Sequence, residues 1–186
     1  MPQHQLELKT KVLELLDEHR FMTVATLRDD GWPQATMVGY VHEDLTLYFA
    51  VAHTSQKLAN IQRDDRVSIA LGHEAPTRLC GLSMAARAEP VTDLAEVDSV
   101  NALLRDRYQG RVAFSPRETA SRLVRAAPLL ISIIDLGKGP GEPVMISVAD
   151  GEVKRVRSRS PKGGAHDVLV QKVRPHPGPY RPGAPP

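Results

Sequence analysis

The 186-residue chain predicts a mainly β fold: an antiparallel β-barrel with helices packed outside it. Three observations lead there. Segments rich in β-branched and apolar residues dominate, at 22–28, 34–41, 45–52, 67–71, 78–91 and 129–136. The first three are separated by compact turn signals, Asp29-Asp30-Gly31 and His42-Glu43-Asp44, which predicts an antiparallel meander. The order is helix, meander, short helix, two strands, helices, final strands, and with strands in the majority this is a barrel with peripheral helices.

Each element has its own signal. Residues 5–20 place Leu6, Leu8, Val12, Leu13, Leu15 and Leu16 on one apolar face, the mark of an amphipathic helix. Residues 22–28 begin a β texture. The third strand, 45–52 (LTLYFAVA), is apolar on both faces and so predicted central. Residues 54–63 (TSQKLANIQR) switch to helical spacing, with Thr54 or Ser55 as N-cap, Leu58 and Ile61 on the buried edge, and Asp64-Asp65 at the end. The long strand 78–91 carries Gly81, Ser83, Ala85, Ala86 and Ala88; such small residues mark either close approach of a backbone or ligand, or a bend. Residues 93–106 read as a helix capped near Asp93, and 108–114 as a loop. Ser115-Pro116-Arg117-Glu118 opens another short helix through a capping box, which Pro128 then follows. Residues 129–136 (LLISIIDL) form an apolar strand, 137–143 a glycine- and proline-rich loop, and 144–148 with 152–156 a hairpin about Asp150-Gly151. From about Arg157 proline, glycine and arginine prevail, so the domain is expected to span 1–156 and the tail 157–186, with 168–173 as a candidate edge strand.

Composition narrows the function classes. A formal net charge of +2 is close to balance and makes no case for nucleic-acid binding. Basic residues do gather late, at Lys154, Arg155, Arg157, Arg159, Lys162, Lys172, Arg174 and Arg181. No apolar run reaches a membrane span, and the polar, periodic start does not read as a secretory signal. The lone cysteine, Cys80, excludes an internal disulfide framework and fits a reducing compartment, so a cytoplasmic protein is expected. His4, His19, His42, His53, His73, His166 and His176 show no metal-ligand spacing, and no metal site is expected. Gly137-Lys138-Gly139-Pro140-Gly141 lacks the strand–loop–helix context of a nucleotide motif.

The stretch 45–63 carries the chemistry. An apolar strand and a short bend lead into Thr54-Ser55-Gln56-Lys57 at a helix start. A helix N-terminus offers free N–H groups and a partial positive charge; hydroxyls add donors and Lys57 a full charge, a combination that suits phosphate. Alone, the same residues describe an ordinary capped helix with a solvated lysine.

Their context adds a resemblance. An A-T-L strand, a D-G-x-P turn, small polar positions at Gln34, Ala35 and Thr36, the L-Y-F-A strand, the S-x-K-x-x-N-I helix opening and D-x-R-V-S follow one another over roughly residues 20–90. This ordered set resembles the FMN-binding split β-barrel family that includes pyridoxamine 5′-phosphate oxidase. The resemblance implies a split antiparallel barrel, an FMN-binding oxidoreductase acting on a small-molecule substrate, and a homodimer with flavin at the interface. By position it implies that Gln34, Ala35, Thr36, Met37 and Val38 line the isoalloxazine through backbone groups. Phe49, Ala50 and Val51 would lie along the ribityl chain. Ser55 and Lys57 would hold the phosphate with Thr54 and Gln56 beside them, and Ser83 would lie near the ring. No catalytic acid or base is singled out. Trp32, in a turn, is equally a surface staple and a flavin wall. Gln56 stands where the oxidase has arginine, and its C-terminal Arg-x-His motif has no counterpart, so the likeness is to relatives of the oxidase. Two alternatives share the fold: a reductase using the deazaflavin F420, whose longer anionic tail would draw on Arg63, Lys138 or the basic tail, and a non-enzymatic flavin- or haem-binding dimer.

Overall fold

The computed structural model describes residues 2–75, 78–109, 120–135 and 143–156. The expected helix at 115–118, the loop 137–143 except Pro143, and the tail with its candidate strand at 168–173 lie outside the described residues. The elements are α1 (Gln3–Glu18), β1 (Phe21–Leu27), β2 (Pro33–Gly39), β3 (Val41–Glu43), β4 (Thr46–Ala52), α2 (Gln56–Arg63), β5 (Arg66–Ala75), β6 (Arg78–Pro90), α3 (Leu94–Arg107), β7 (Ser121–Asp135), β8 (Val144–Ala149) and β9 (Glu152–Val156). Every strand pairing is antiparallel. The sheet runs β2-β1-β5-β6-β7-β4-β3, with β8 on β7 and β9 on β8.

The expected meander is corrected in one respect. Residues 34–41 are not one strand: the chain bends at Tyr40, so β2 pairs with β1 while β3 pairs with β4. Tyr40 is the reason. Its ring is fully buried under α1, and its hydroxyl donates to the Leu16 carbonyl at 2.8 Å. Burial pushes its phenol pKa upward. β2 and β3 thus stand at opposite ends of the sheet path although only one residue separates them, which curls the sheet into a barrel. The following turn is tighter than expected. His42 and Glu43 belong to β3, and Asp44 turns the chain at φ +50°.

A second correction concerns residues 121–127, expected to continue a helix as far as Pro128. They are the first half of β7. One edge of β7 carries β6 at Val124–Asp135; the other carries β4 at Ser121–Ala126 and β8 at Leu130–Ile133. Between those halves the register with β6 shifts: Ala85 faces Leu130 and Ala86 faces Pro128, so Leu129 is the extra residue of a bulge. Proline has no N–H for a ladder, and a bulge is where a strand tolerates it.

The small residues of β6 answer to both expected readings. The register shift falls at Ala85/Ala86, and Gly81 marks close approach. A Cβ on Gly81 would stand 2.5 Å from the Leu71 carbonyl oxygen, and one on Gly72 2.7 Å from that of Cys80. The lone thiol of Cys80 is buried in this packing.

The core fills the barrel with Met22, Val24, Leu47, Phe49, Ile69, Met84, Ile131 and Ile146, closed on the outside by Val12, Leu15 and Leu16 of α1. Leu6, expected on that apolar face, is exposed. α3 covers a second cluster of Val41, Tyr48, Val97, Val100, Leu104 and Leu123. Asp93 caps α3 as expected, its carboxylate accepting from the Ala95 N–H. The 144–156 hairpin forms about Asp150 and Gly151, both at positive φ.

Candidate functional site

α2 starts at the end of β4 because Ala52–Ser55 fold back on themselves: the Ser55 N–H donates to the Ala52 carbonyl at 3.0 Å. Ser55, not Thr54, is the N-cap, its hydroxyl oxygen accepting from the Leu58 N–H at 3.2 Å. Leu58 and Ile61 anchor the helix in the core. No acidic residue occupies the first turn. Lys57 is half-buried, makes no ion pair among the described residues, and burial lowers its pKa from the ordinary lysine value. A cation taken partly out of water without a counter-ion is a costly arrangement. The carboxylates nearby in sequence sit at the other end of α2 and are engaged: Asp64 with Arg66 at 2.6 Å, Asp65 with Arg87.

β2 ends the sheet path, so its edge away from β1 has no strand partner among the described residues. Its side chains split between two faces. Gln34, Thr36 and Val38 turn inward, with Val38 against the core; Ala35 and Met37 turn outward and are exposed. The Thr36 hydroxyl oxygen is buried without a hydrogen-bond partner among the described residues. Gln34 and Gln56 meet through a residue to which the sequence assigned no role. Asn60, 1 % exposed, donates to Thr26 Oγ1 at 2.9 Å and Gln34 Oε1 at 3.2 Å, and accepts from Gln56 Nε2 at 2.9 Å. Arg63 ties the end of the helix to the Leu27 carbonyl. The missed signal was an asparagine between the two apolar anchors of a short amphipathic helix.

Through Asn60 the structure joins Gln34 of β2 to Gln56 at the start of α2; Thr36 shares the inward face of β2 with Gln34, and Ser55 and Lys57 flank Gln56. Phe49 and Val51 have their side chains in the core, leaving Ala50 of that trio outward. Thr54 is exposed beside the cap. Ser83 is not brought to them. It lies on the exposed sheet face, in a cross-strand row Met37–Thr23–Ala70–Ser83–Ser132. Three strand spacings separate it from Met37, about 14 Å. A neighbouring row, Ala35–Ala25–Ser68–Ala85–Leu130, is likewise short in side chain except at Leu130. At the margin of this face a shallow groove of about 500 Å³ runs past Arg20, Phe21, Thr23, Met37, Ala70 and Gly72. Trp32, Phe21 and Met37 are large apolar side chains left 69, 58 and 71 % exposed.

The sequence profile of pyridoxamine 5′-phosphate oxidase matches residues 8–134. The chain belongs to this family. Among its relatives, General stress protein 26 of Bacillus subtilis is 31 % identical over 71 residues, 38 % of this chain and 50 % of that protein. The chain thus spans about half the length of the curated relative it matches. A FAD-binding protein from Mesorhizobium loti shares the fold with a TM-score of 0.56 at 17 % identity, over 68 % of this chain and 93 % of that one. HutZ, the haem storage protein of Vibrio cholerae, shares it with a TM-score of 0.54 at 19 % identity, over 64 % and 88 %. The pyridoxamine 5′-phosphate oxidase-like split barrel expected from the sequence is therefore the fold of this chain. Among the described residues no helix is long and apolar enough to cross a membrane.

Proposed function

We propose that the chain is an FMN-binding oxidoreductase of the pyridoxamine 5′-phosphate oxidase-like family, working on a small molecule as a homodimer with flavin at the subunit interface. The observation that carries this is Lys57: a half-buried cation without a counter-ion among the described residues, beside a serine-capped helix N-terminus. A phosphate dianion supplies the missing charge and accepts from the free N–H groups of the first turn. Two further features fit the rest of FMN. Among the described residues the edge of β2 away from β1 is unpaired and offers main-chain groups to a flavin ring, and the buried Thr36 hydroxyl has hydrogen-bonding capacity that no described residue uses.

In this reading Ser55 has two tasks. Its oxygen accepts from the Leu58 N–H while its O–H remains free to donate to phosphate. Lys57 supplies charge, Thr54 and Gln56 flank it, and β2 from Gln34 to Val38 lines the ring through its backbone. Ala50 and the backbone of Phe49 and Val51 border the ribityl chain. Ser83 and the flat rows around it suit the face of a second copy, which would bring Ser83 to the ring from across the interface. Bound flavin would supply hydride chemistry, the protein orientation and electrostatics. The single buried thiol fits a cytoplasmic setting.

Lys57→Ala tests the assignment. It is expected to weaken FMN by about 1.5–3 kcal/mol, the worth of a charge-assisted hydrogen bond, measured by fluorescence titration. Unchanged affinity would sink the phosphate assignment. Haem is the second reading, favoured by the fold shared with HutZ; a Soret band on haem titration, with no FMN uptake, would establish it instead.

A further inference from the structure

Asn60 is the most deeply buried polar side chain among the described residues, yet Leu58 and Ile61 already anchor α2. An apolar residue would serve packing alone. What an amide adds is connection. Thr26 and Gln34 are directly opposed across β1 and β2, and the Asn60 Nδ2 group donates to both. Its Oδ1 accepts from Gln56, the first residue of α2. One side chain thus clamps a cross-strand pair on the ring side to the helix start on the phosphate side.

The amide accounting has a consequence for the ligand. With Gln34 Oε1 engaged by Asn60, the Gln34 Nε2 group keeps its donors available. The Thr36 hydroxyl lies two residues along the same face of β2. Both are polar groups that a flavin's carbonyl and ring nitrogen acceptors complement.

We propose that Asn60 is a positioning residue of the flavin site, fixing the spacing between the phosphate-binding start of α2 and the ring-lining strand β2. The inference rests on the FMN reading. A ligand that bridges both regions needs them held at one separation; a ligand lacking the phosphate does not. The FMN-to-riboflavin affinity ratio therefore isolates the contribution of Asn60, whatever it does for the fold.

The test compares FMN and riboflavin binding by fluorescence titration in the wild-type protein, Asn60→Ala and the near-isosteric Thr26→Val, with melting temperatures measured alongside. Val153→Ala, a core truncation on β9, serves as a destabilised control away from the site. Asn60→Ala and Thr26→Val are expected to lower the ratio by about tenfold, a hydrogen bond's worth, while Val153→Ala lowers the melting temperature and leaves the ratio alone. If Asn60→Ala does not fold, Thr26→Val decides. A ratio unchanged in the folded variants overturns the positioning role and leaves the FMN reading standing. A wild-type protein that takes up no FMN overturns the FMN reading and the inference with it.

Discussion

At the scale of single residues, Ser55 separates stability from binding. Ser55→Ala removes the cap and the donor together, and is expected to cost about 1 kcal/mol of stability as well as FMN affinity. Ser55→Asp keeps a capping oxygen for the Leu58 N–H but faces phosphate with a negative charge. Its melting temperature should stay near wild type while FMN binding collapses, as calorimetric melting and a titration would show. Equal FMN binding by Ser55→Asp would place the phosphate elsewhere. Lys57 adds a pH dependence. Burial lowers its pKa, so the ammonium is lost at a lower pH than for an ordinary lysine. Above about pH 8, where the phosphate is already a dianion, FMN affinity should fall as pH rises through that lowered value. Lys57→Arg, charged throughout, should abolish the fall. The sequence made Ser55 and Lys57 legible because capping and charge are local properties. It could not reveal that Lys57 has no counter-ion among the described residues, because that depends on Asp64 and Asp65 turning to Arg66 and Arg87. Nor could it give Asn60 a role, since its partners are 34 and 26 positions away.

At the scale of elements, α2 is held at its far end by charge. The Arg66 side chain hydrogen-bonds Asp64 and holds its carboxyl at about 2, below the usual 3.8. A depressed carboxylate pKa stabilises the fold above the unfolded value, and that stability is lost as pH falls from about 4 towards 2. Asp64→Asn should flatten this acid limb in urea melts taken across the same range. β5 and β6 are pressed together at Gly72 and Gly81. Gly81→Ala sets a methyl against the Leu71 carbonyl and should cost about 1–3 kcal/mol. The elements hardest to foresee were those where long-range packing overrode a local signal. Pro128 reads as the end of a helix, but it lies inside β7, which passes through it on a bulge. Residues 34–41 read as a single strand, but Tyr40 bends them by sinking its ring beneath α1. By contrast α2, α3 and the final hairpin announced themselves through caps and turn residues, and formed where expected.

At the scale of the whole molecule, the barrel buries most of its bulky side chains inward and turns outward two rows made of alanine, serine and threonine apart from Met37 and Leu130, beside Phe21. A flat face of this kind is suited to a second copy. If the proposed homodimer forms through this face, Ser83→Arg, at its centre, should shift it to monomer in sedimentation velocity and weaken FMN in parallel. A variant that stays dimeric would remove this face from the interface. The barrel class followed from strand dominance and turn placement; its closure, through one bent strand at both ends of the sheet path, followed only from Tyr40. The central claim is that this barrel takes up FMN around Ser55 and Lys57. Its most direct test is the visible spectrum of the purified protein titrated with FMN. Bound oxidised flavin, with bands near about 370 and 450 nm perturbed in wild type and markedly weaker in uptake by Lys57→Ala, is the predicted result. A wild-type protein that stays colourless and leaves FMN unperturbed, or that shows only the deazaflavin band near about 420 nm or a haem Soret band, would contradict it.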